Sequence, residues 1–356
     1  MLLDTRNISQ IIDDLTNKKV RKPVSVWKKT AASICRKLGF LTVSILLRWP
    51  IWLFLGALCF FGIKVFDYLF LVYPGTEKDL DGYCPRWLAK SWIFRGKPVI
   101  GGIITSGIGG RGLTLVIPNT INEIKSNKDT SKKIVRRLNW IKRLVGAKSI
   151  ALAGQMPGII IRAGQDLVEP FVRGNKGTVF CVTETIKSAL KKHNLILKQL
   201  NVVVCGVGYV GGVLMSFLEE EGYNVTGIDI KARRRGVKLL NEAHGILMKA
   251  DLVVVLTPKG SDFASYMDFV KPGAIIIDDT HPKIHRKSNG HSFYKVAVGM
   301  EGVKFFPRLP GYKSDWIPGC AVEAITSAAT GDFNGVSQEV FNKQARDLGF
   351  YAHLVN

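Results

Sequence analysis

Apolar positions fall along this chain in three distinct ways. Residues 39–74 (GFLTVSILLRWPIWLFLGALCFFGIKVFDYLFLVYP) are apolar almost throughout. Further on, Ile134, Leu138, Ile141 and Leu144 recur at helical spacing among basic residues, which predicts an amphipathic helix over Ser131–Val145. From Leu200 the pattern changes to short, largely apolar runs at Val202–Cys205, Asp251–Leu256 and Ala274–Asp278, separated by helix-like stretches. Runs of that length, bounded by turn residues, are how strands buried on both faces of a parallel sheet read. Short β-like runs also stand at Val99–Thr105 and Leu113–Ile117. Ser149–Ala153 and Gly158–Ile161 flank a turn at 154–157, and helices are expected from about Thr178 to His193 and from Cys320 to Ala329.

The run Val202–Cys205 leads directly into Gly206-Val207-Gly208-Tyr209-Val210-Gly211, then a helix, then a second strand ending in Asp229. In a dinucleotide fold the first glycine permits the tight strand-to-helix turn. The second lets backbone approach a pyrophosphate, and the third lets the helix pack close to the strand. The phosphates then rest on amides at the positive end of the helix. Asp229 stands 23 residues after Gly206, where a ribose-binding carboxylate belongs. Strand, glycines, helix, strand and acid in order make a specific signal, and they predict a Rossmann doubly wound parallel sheet of class α/β. Asp229 favours the free ribose hydroxyls of NADH, whereas Lys231, Arg233, Arg234 and Arg235 offer a clamp for the extra phosphate of NADPH. Thr257 and Pro258, just past the next strand, are candidates to touch the nicotinamide half, and His281 in the DDTHPK loop is a candidate proton donor.

Charge changes the picture. The chain has 356 residues, and 50 basic against 28 acidic side chains leave a formal charge of +22, which calls for an anionic partner. No nucleic-acid module is recognisable and aromatic residues do not interleave the basic runs, so nucleic acid is set aside in favour of a membrane surface or a phosphorylated ligand. The six cysteines are scattered without metal-ligand spacing, so no metal site is expected and the thiols read as reduced and free. Basic residues from Lys18 to Lys37 precede the apolar run, which Arg48 and Pro50 interrupt. Its uncharged core, Trp49–Ile63, reaches ~22 Å as a helix, short of a ~30 Å hydrocarbon layer. These features predict a helix–break–helix lying in one leaflet, peripheral or monotopic, on the cytoplasmic side of a membrane.

Four regions follow: a basic and apolar membrane-associating region (1–75), a second α/β lobe for substrate (76–195), the Rossmann domain (196–305) and a C-terminal segment (306–356) that returns to the substrate lobe. That last segment carries Pro318-Gly319-Cys320-Ala-Val-Glu323. Cys320 at the start of a helix is expected to gain thiolate character from the dipole and free amides, and a thiolate can accept an acyl group. Glu323, one turn on, reads either as a proton-handling group or as an acid favoured by the helix start.

Over residues 80–356, the Gly174-Asn175 turn and its helix, the Rossmann glycines, the DDTHPK loop, the Gly319-Cys320-Ala-Val-Glu323 stretch and a closing helix over Phe341–His353 form one ordered series. The series resembles the long-chain acyl-acyl-carrier-protein reductases. That resemblance implies an acyl thioester of acyl-carrier protein or coenzyme A as donor, Cys320 as acyl acceptor, NADPH as cofactor with NADH as alternative, and a fatty aldehyde as product. It places Gly174 and Asn175 near the substrate. The residues by themselves leave two other classes open. One is a Rossmann dehydrogenase of a small polar substrate without a covalent step, and the other is a membrane-attached dinucleotide sensor without catalysis. The oligomeric state, monomer or homo-oligomer, also stays open.

Overall fold

Val202–Cys205, Leu252–Val255 and Ile275–Asp278 are buried along their whole length, because helices cover both faces of the sheet they form. A computed structural model describes residues 34–355 apart from 36, 75–76, 82–83, 92, 95, 197–198, 232–233, 286–289, 310–311, 314 and 332–334. The basic residues before Ile34 and Arg233 therefore lie outside the described residues. The sheet has six strands, in the order Ser292–Lys295, Ile275–Asp278, Leu252–Val255, Val202–Cys205, Val225–Asp229, Val237–Leu239, and all neighbours are parallel. Counted along the chain, this is the doubly wound order of a Rossmann sheet. The order reverses at Val202–Cys205, whose carboxyl end opens on the crevice where such sheets bind ligands.

The first lobe is a second six-stranded sheet. Across it run Lys304–Phe306, Val99–Thr105, Arg111–Val116, Tyr68–Val72, Ser149–Leu152 and Phe171–Val172. The first two pairings are antiparallel and the rest parallel. This corrects the reading of residues 39–74 as one membrane-associating stretch. Tyr68, Leu69, Phe70 and Leu71 are wholly buried in the middle of the sheet, paired on both sides. An apolar run reads alike whether lipid or protein covers it, and here neighbouring strands satisfy its backbone. The 306 boundary also moves slightly, since Lys304–Phe306 already belongs to this lobe.

The remainder of the apolar stretch is a helix–break–helix, as expected. Lys37–Leu46 and Arg48–Phe60 are bent by 63° about Leu47, and among the described residues no single helix is long and apolar enough to cross a membrane. Pro50 sits in the first turn of the second helix, where its missing amide breaks no helical bond. Trp52 and Leu55 anchor this helix in the core beneath it, Trp52 meeting Trp140 edge-on on helix Lys128–Val145.

Helix Asn175–Lys192 joins the lobes. Val179, Val182 and Ile186 enter the core of the Rossmann sheet, while Phe180 and Cys181 face the core shared with helix Gly319–Thr330. The closing helix is shorter than expected. It spans Gln338–Asp347, stops before Gly349 (φ +93°), and is followed by Tyr351–Ala352, paired antiparallel with Val298–Gly299.

Candidate active site

The glycine turn shows why each glycine is there. Gly206 has φ +92°, and a Cβ on it would lie 2.9 Å from the Leu256 carbonyl carbon and the Thr257 amide. A Cβ on Gly211 would lie 2.2 Å from the Gly206 carbonyl oxygen. Gly208 differs: a Cβ there would meet nothing within 4 Å, so protein packing does not require the glycine. It opens helix Tyr209–Glu220, whose N-terminus no side chain caps. Uncapped amides beside an open glycine are what a pyrophosphate needs. Val207 and Val210 pack on the sheet core while Tyr209 stays largely exposed, so these three serve the turn through their backbone. Asp229 ends its strand with Oδ1 accepting the Lys231 amide at 3.1 Å. Arg234 is turned away from that position: its guanidinium donates to the Gly212 carbonyl, Ser216 Oγ and Glu219 Oε2.

Between the lobes lies a cavity of ≈ 380 Å³, walled largely by apolar side chains such as Phe40, Phe70, Val72 and Leu309. Thr257, Pro258, His281 and Cys320 all line it, although they come from three separate segments. The structure thus brings together the residues expected at the nicotinamide half and the thiol. Gly174 (φ +78°) has its Cα close against Cys320, where an added Cβ would come within 2.8 Å of the cysteine Cβ. It positions the cysteine. Asn175 begins its helix and does not line the cavity; Thr178, one turn on, does.

The thiolate expectation for Cys320 is overturned. The residue is 9% exposed, and burial pushes its thiol up to about 12. Amides of Gly154, Ala321 and Cys320 itself pull the other way, as the helix-start reasoning anticipates, but desolvation is the larger effect. Glu323 does not line the cavity. It is 1% exposed, and its Oε2 accepts the buried Gly177 amide at 2.9 Å, so it caps the adjoining helix. Gly177 and Gly319 let the two helix starts touch, since a Cβ on Gly177 would lie 2.0 Å from the Gly319 carbonyl oxygen.

Several polar cavity residues escaped the sequence reading, Asp279, Tyr73 and Tyr312 among them. Asp279 follows strand Ile275–Asp278 at its carboxyl end. Burial pushes its carboxyl up to about 6, with Lys295 opposing and Asp278 adding to the rise. Successive residues of an extended chain point to opposite sides, which separates the two adjacent acids. Asp278 is wholly buried and accepts from the Thr280 amide and hydroxyl and from the Ile284 amide, fixing the loop. Tyr312 stacks on the exposed His281 with ring centroids 5.7 Å apart, and burial raises its phenol. Tyr73 Oη accepts the Gln155 amide at 3.0 Å. The position of Asp279 just past a central strand was the available signal.

No protein-family model matches the chain, and no curated protein does either. Among solved structures it is similar to a malic enzyme from Pyrococcus horikoshii (13% identity, TM-score 0.43, covering 82% of this chain and 77% of that one). It is similar to a methylenetetrahydrofolate dehydrogenase-cyclohydrolase from Trypanosoma brucei (14%, TM-score 0.38, 89% and 96%). A third is an L-tryptophan dehydrogenase from Nostoc punctiforme (14%, TM-score 0.35, 67% of each). Likeness at this level assigns no activity to the chain.

Proposed function

We propose that this protein is an NAD(P)H-dependent oxidoreductase that reduces or forms a carbonyl group in the cavity between its lobes, without a covalent enzyme intermediate. One observation carries the reading: the Thr257-Pro258 loop packs against the glycine turn, where a Cβ on Gly206 would lie 2.9 Å from the Thr257 amide, and lines the same cavity as Asp279. A bound nicotinamide supplies or accepts the hydride there. Asp279 donates the proton to the carbonyl oxygen in reduction and takes it back in oxidation, a role that suits a carboxyl held near neutrality. His281 and Tyr312 close the cavity beside it. Asp229, with Arg234 turned to Glu219, supports NADH over NADPH. The apolar walls support a substrate with an apolar body rather than a small, wholly polar one.

A second reading keeps the acyl thioester donor, and the presence of Cys320 in an apolar cavity favours it. It requires a base to take the thiol proton, because the group is held up at about 12. The two separate cleanly in one assay of reduced-dinucleotide oxidation over a panel of long-chain aldehydes and acyl thioesters. With Cys320→Ala we expect turnover within a few-fold of the parent on an aldehyde or its alcohol, and no labelled acyl group on the parent's thiol. Abolished turnover together with trapped acyl-cysteine would overturn the non-covalent reading and establish the thioester route. No oxidation of either dinucleotide on any substrate would leave a binding protein.

A further inference from the structure

Beneath the N-terminal helix pair lies another cavity, of ≈ 540 Å³, on the first lobe and apart from the one described above. Arg48, Lys97 and Arg137 converge on it, framed by Trp49, Trp52 and Trp140. Lys133 and Arg136 extend the positive surface through an adjoining cleft that shares Lys97 and Arg137. Among the described residues, no carboxylate lines either space. Burial lowers the proton affinity of all three converging cations. Arg137 and Arg48 lower that of Lys97 further, as Arg48 and Arg136 do for Arg137. Arg48 and Arg137, like charges held together in a half-buried space, favour an anion that offsets them.

The surroundings say which anion. Leu46, Trp49, Leu53, Phe54, Phe60 and Phe61 stand on the same bent pair and its end, each between 63% and 85% exposed. No acidic residue occurs between Gly39 and Phe66. A soluble phosphate has no use for such a surface, and a second copy of a chain at +22 would meet charge repulsion here. A bilayer answers both features: apolar side chains enter the acyl boundary, indoles sit at headgroup level, and cations meet phosphate. We infer that this cavity receives the phosphate of an anionic phospholipid and that the Lys37–Phe60 helix pair seats the protein on one leaflet around it. The inference stands apart from the dinucleotide chemistry. Phe40 of the same pair lines the substrate cavity, so a bilayer on this face lies beside the space for an apolar substrate.

Flotation of the full chain with vesicles of phosphatidylcholine alone, or of phosphatidylcholine mixed with phosphatidylglycerol, tests this. Strong binding is expected only to the mixed vesicles. A cation near an anionic surface contributes roughly a fivefold factor in affinity, so Arg48→Gln with Arg137→Gln should weaken it roughly 25-fold. Phe54→Ser with Phe61→Ser, both exposed, should weaken binding to the mixed vesicles as well. Retained dinucleotide binding serves as the check on folding, and Arg48→Gln alone carries the test if the double variant loses it. Equal binding to both vesicles that ignores the arginine changes would overturn the inference. So would soluble glycerol phosphate binding as tightly as the mixed vesicles and indifferent to the serine changes, since that describes a free-phosphate site.

Discussion

Gly208→Ala should leave the protein folded and weaken its dinucleotide binding roughly 100-fold. The added methyl meets no protein atom within 4 Å, and only the ψ of −147°, beyond the usual extended range at φ −80°, opposes alanine, so stability should fall by no more than about 2 kcal/mol. The same methyl occupies the space through which a pyrophosphate must approach the backbone, and a loss of roughly 100-fold in affinity is expected for NADH. Gly211→Ala is the contrasting control. Its methyl would meet the Gly206 carbonyl oxygen at 2.2 Å, so it should lower the melting temperature whether or not a nucleotide is present. Fluorescence titration with NADH and thermal melts of both variants read the two effects. Wild-type affinity in Gly208→Ala would remove the reason for an open glycine at that turn.

Asp279→Asn carries the next largest effect, and its signature is pH-dependent. With the carboxyl held at about 6, carbonyl reduction requires the protonated form, so turnover should fall as the pH rises through about 6. In the oxidising direction the carboxylate is the base, and turnover should rise through the same pH. The asparagine variant should lose both limbs and be slower by roughly 100-fold. Stability should move the opposite way. The folded-state value lies above the ordinary carboxylate value of 3.8, so folding binds a proton; the resulting stabilisation is complete below about pH 4 and is lost as the pH rises to about 6. Asparagine removes that loss, so the variant should be slower yet more stable than the parent at neutral pH. A variant that is both slower and less stable, with its pH limbs intact, would make Asp279 a structural residue.

What was legible in the sequence was whatever a single short segment decides. The glycine turn could be read because a tight turn, an open helix start and a close helix–strand contact each leave a glycine at a fixed offset. The strands of the Rossmann sheet could be read because burial on both faces makes them continuously apolar. What one segment does not decide was missed. Tyr68–Val72 and the lipid-like helix before it share one apolar signature, and only pairing with Arg111–Val116 and Ser149–Leu152 tells them apart. The helix-start amides do act on Cys320, yet the burial that outweighs them comes in part from Gly174 and Tyr73, both distant in sequence. Asp279 was hidden beside Asp278 because adjacent acids look equivalent until the fold sends one into the loop and the other to the cavity.

The proposed chemistry requires the nicotinamide to reach the cavity between the lobes. A crystal structure of the protein with bound NADH tests this directly. The expected result has the pyrophosphate on the amides at Gly208, the ribose on Asp229, and the nicotinamide beside Thr257 and Pro258, facing the space lined by Asp279 and Cys320. A dinucleotide bound elsewhere, or a nicotinamide turned away from that space, would contradict it.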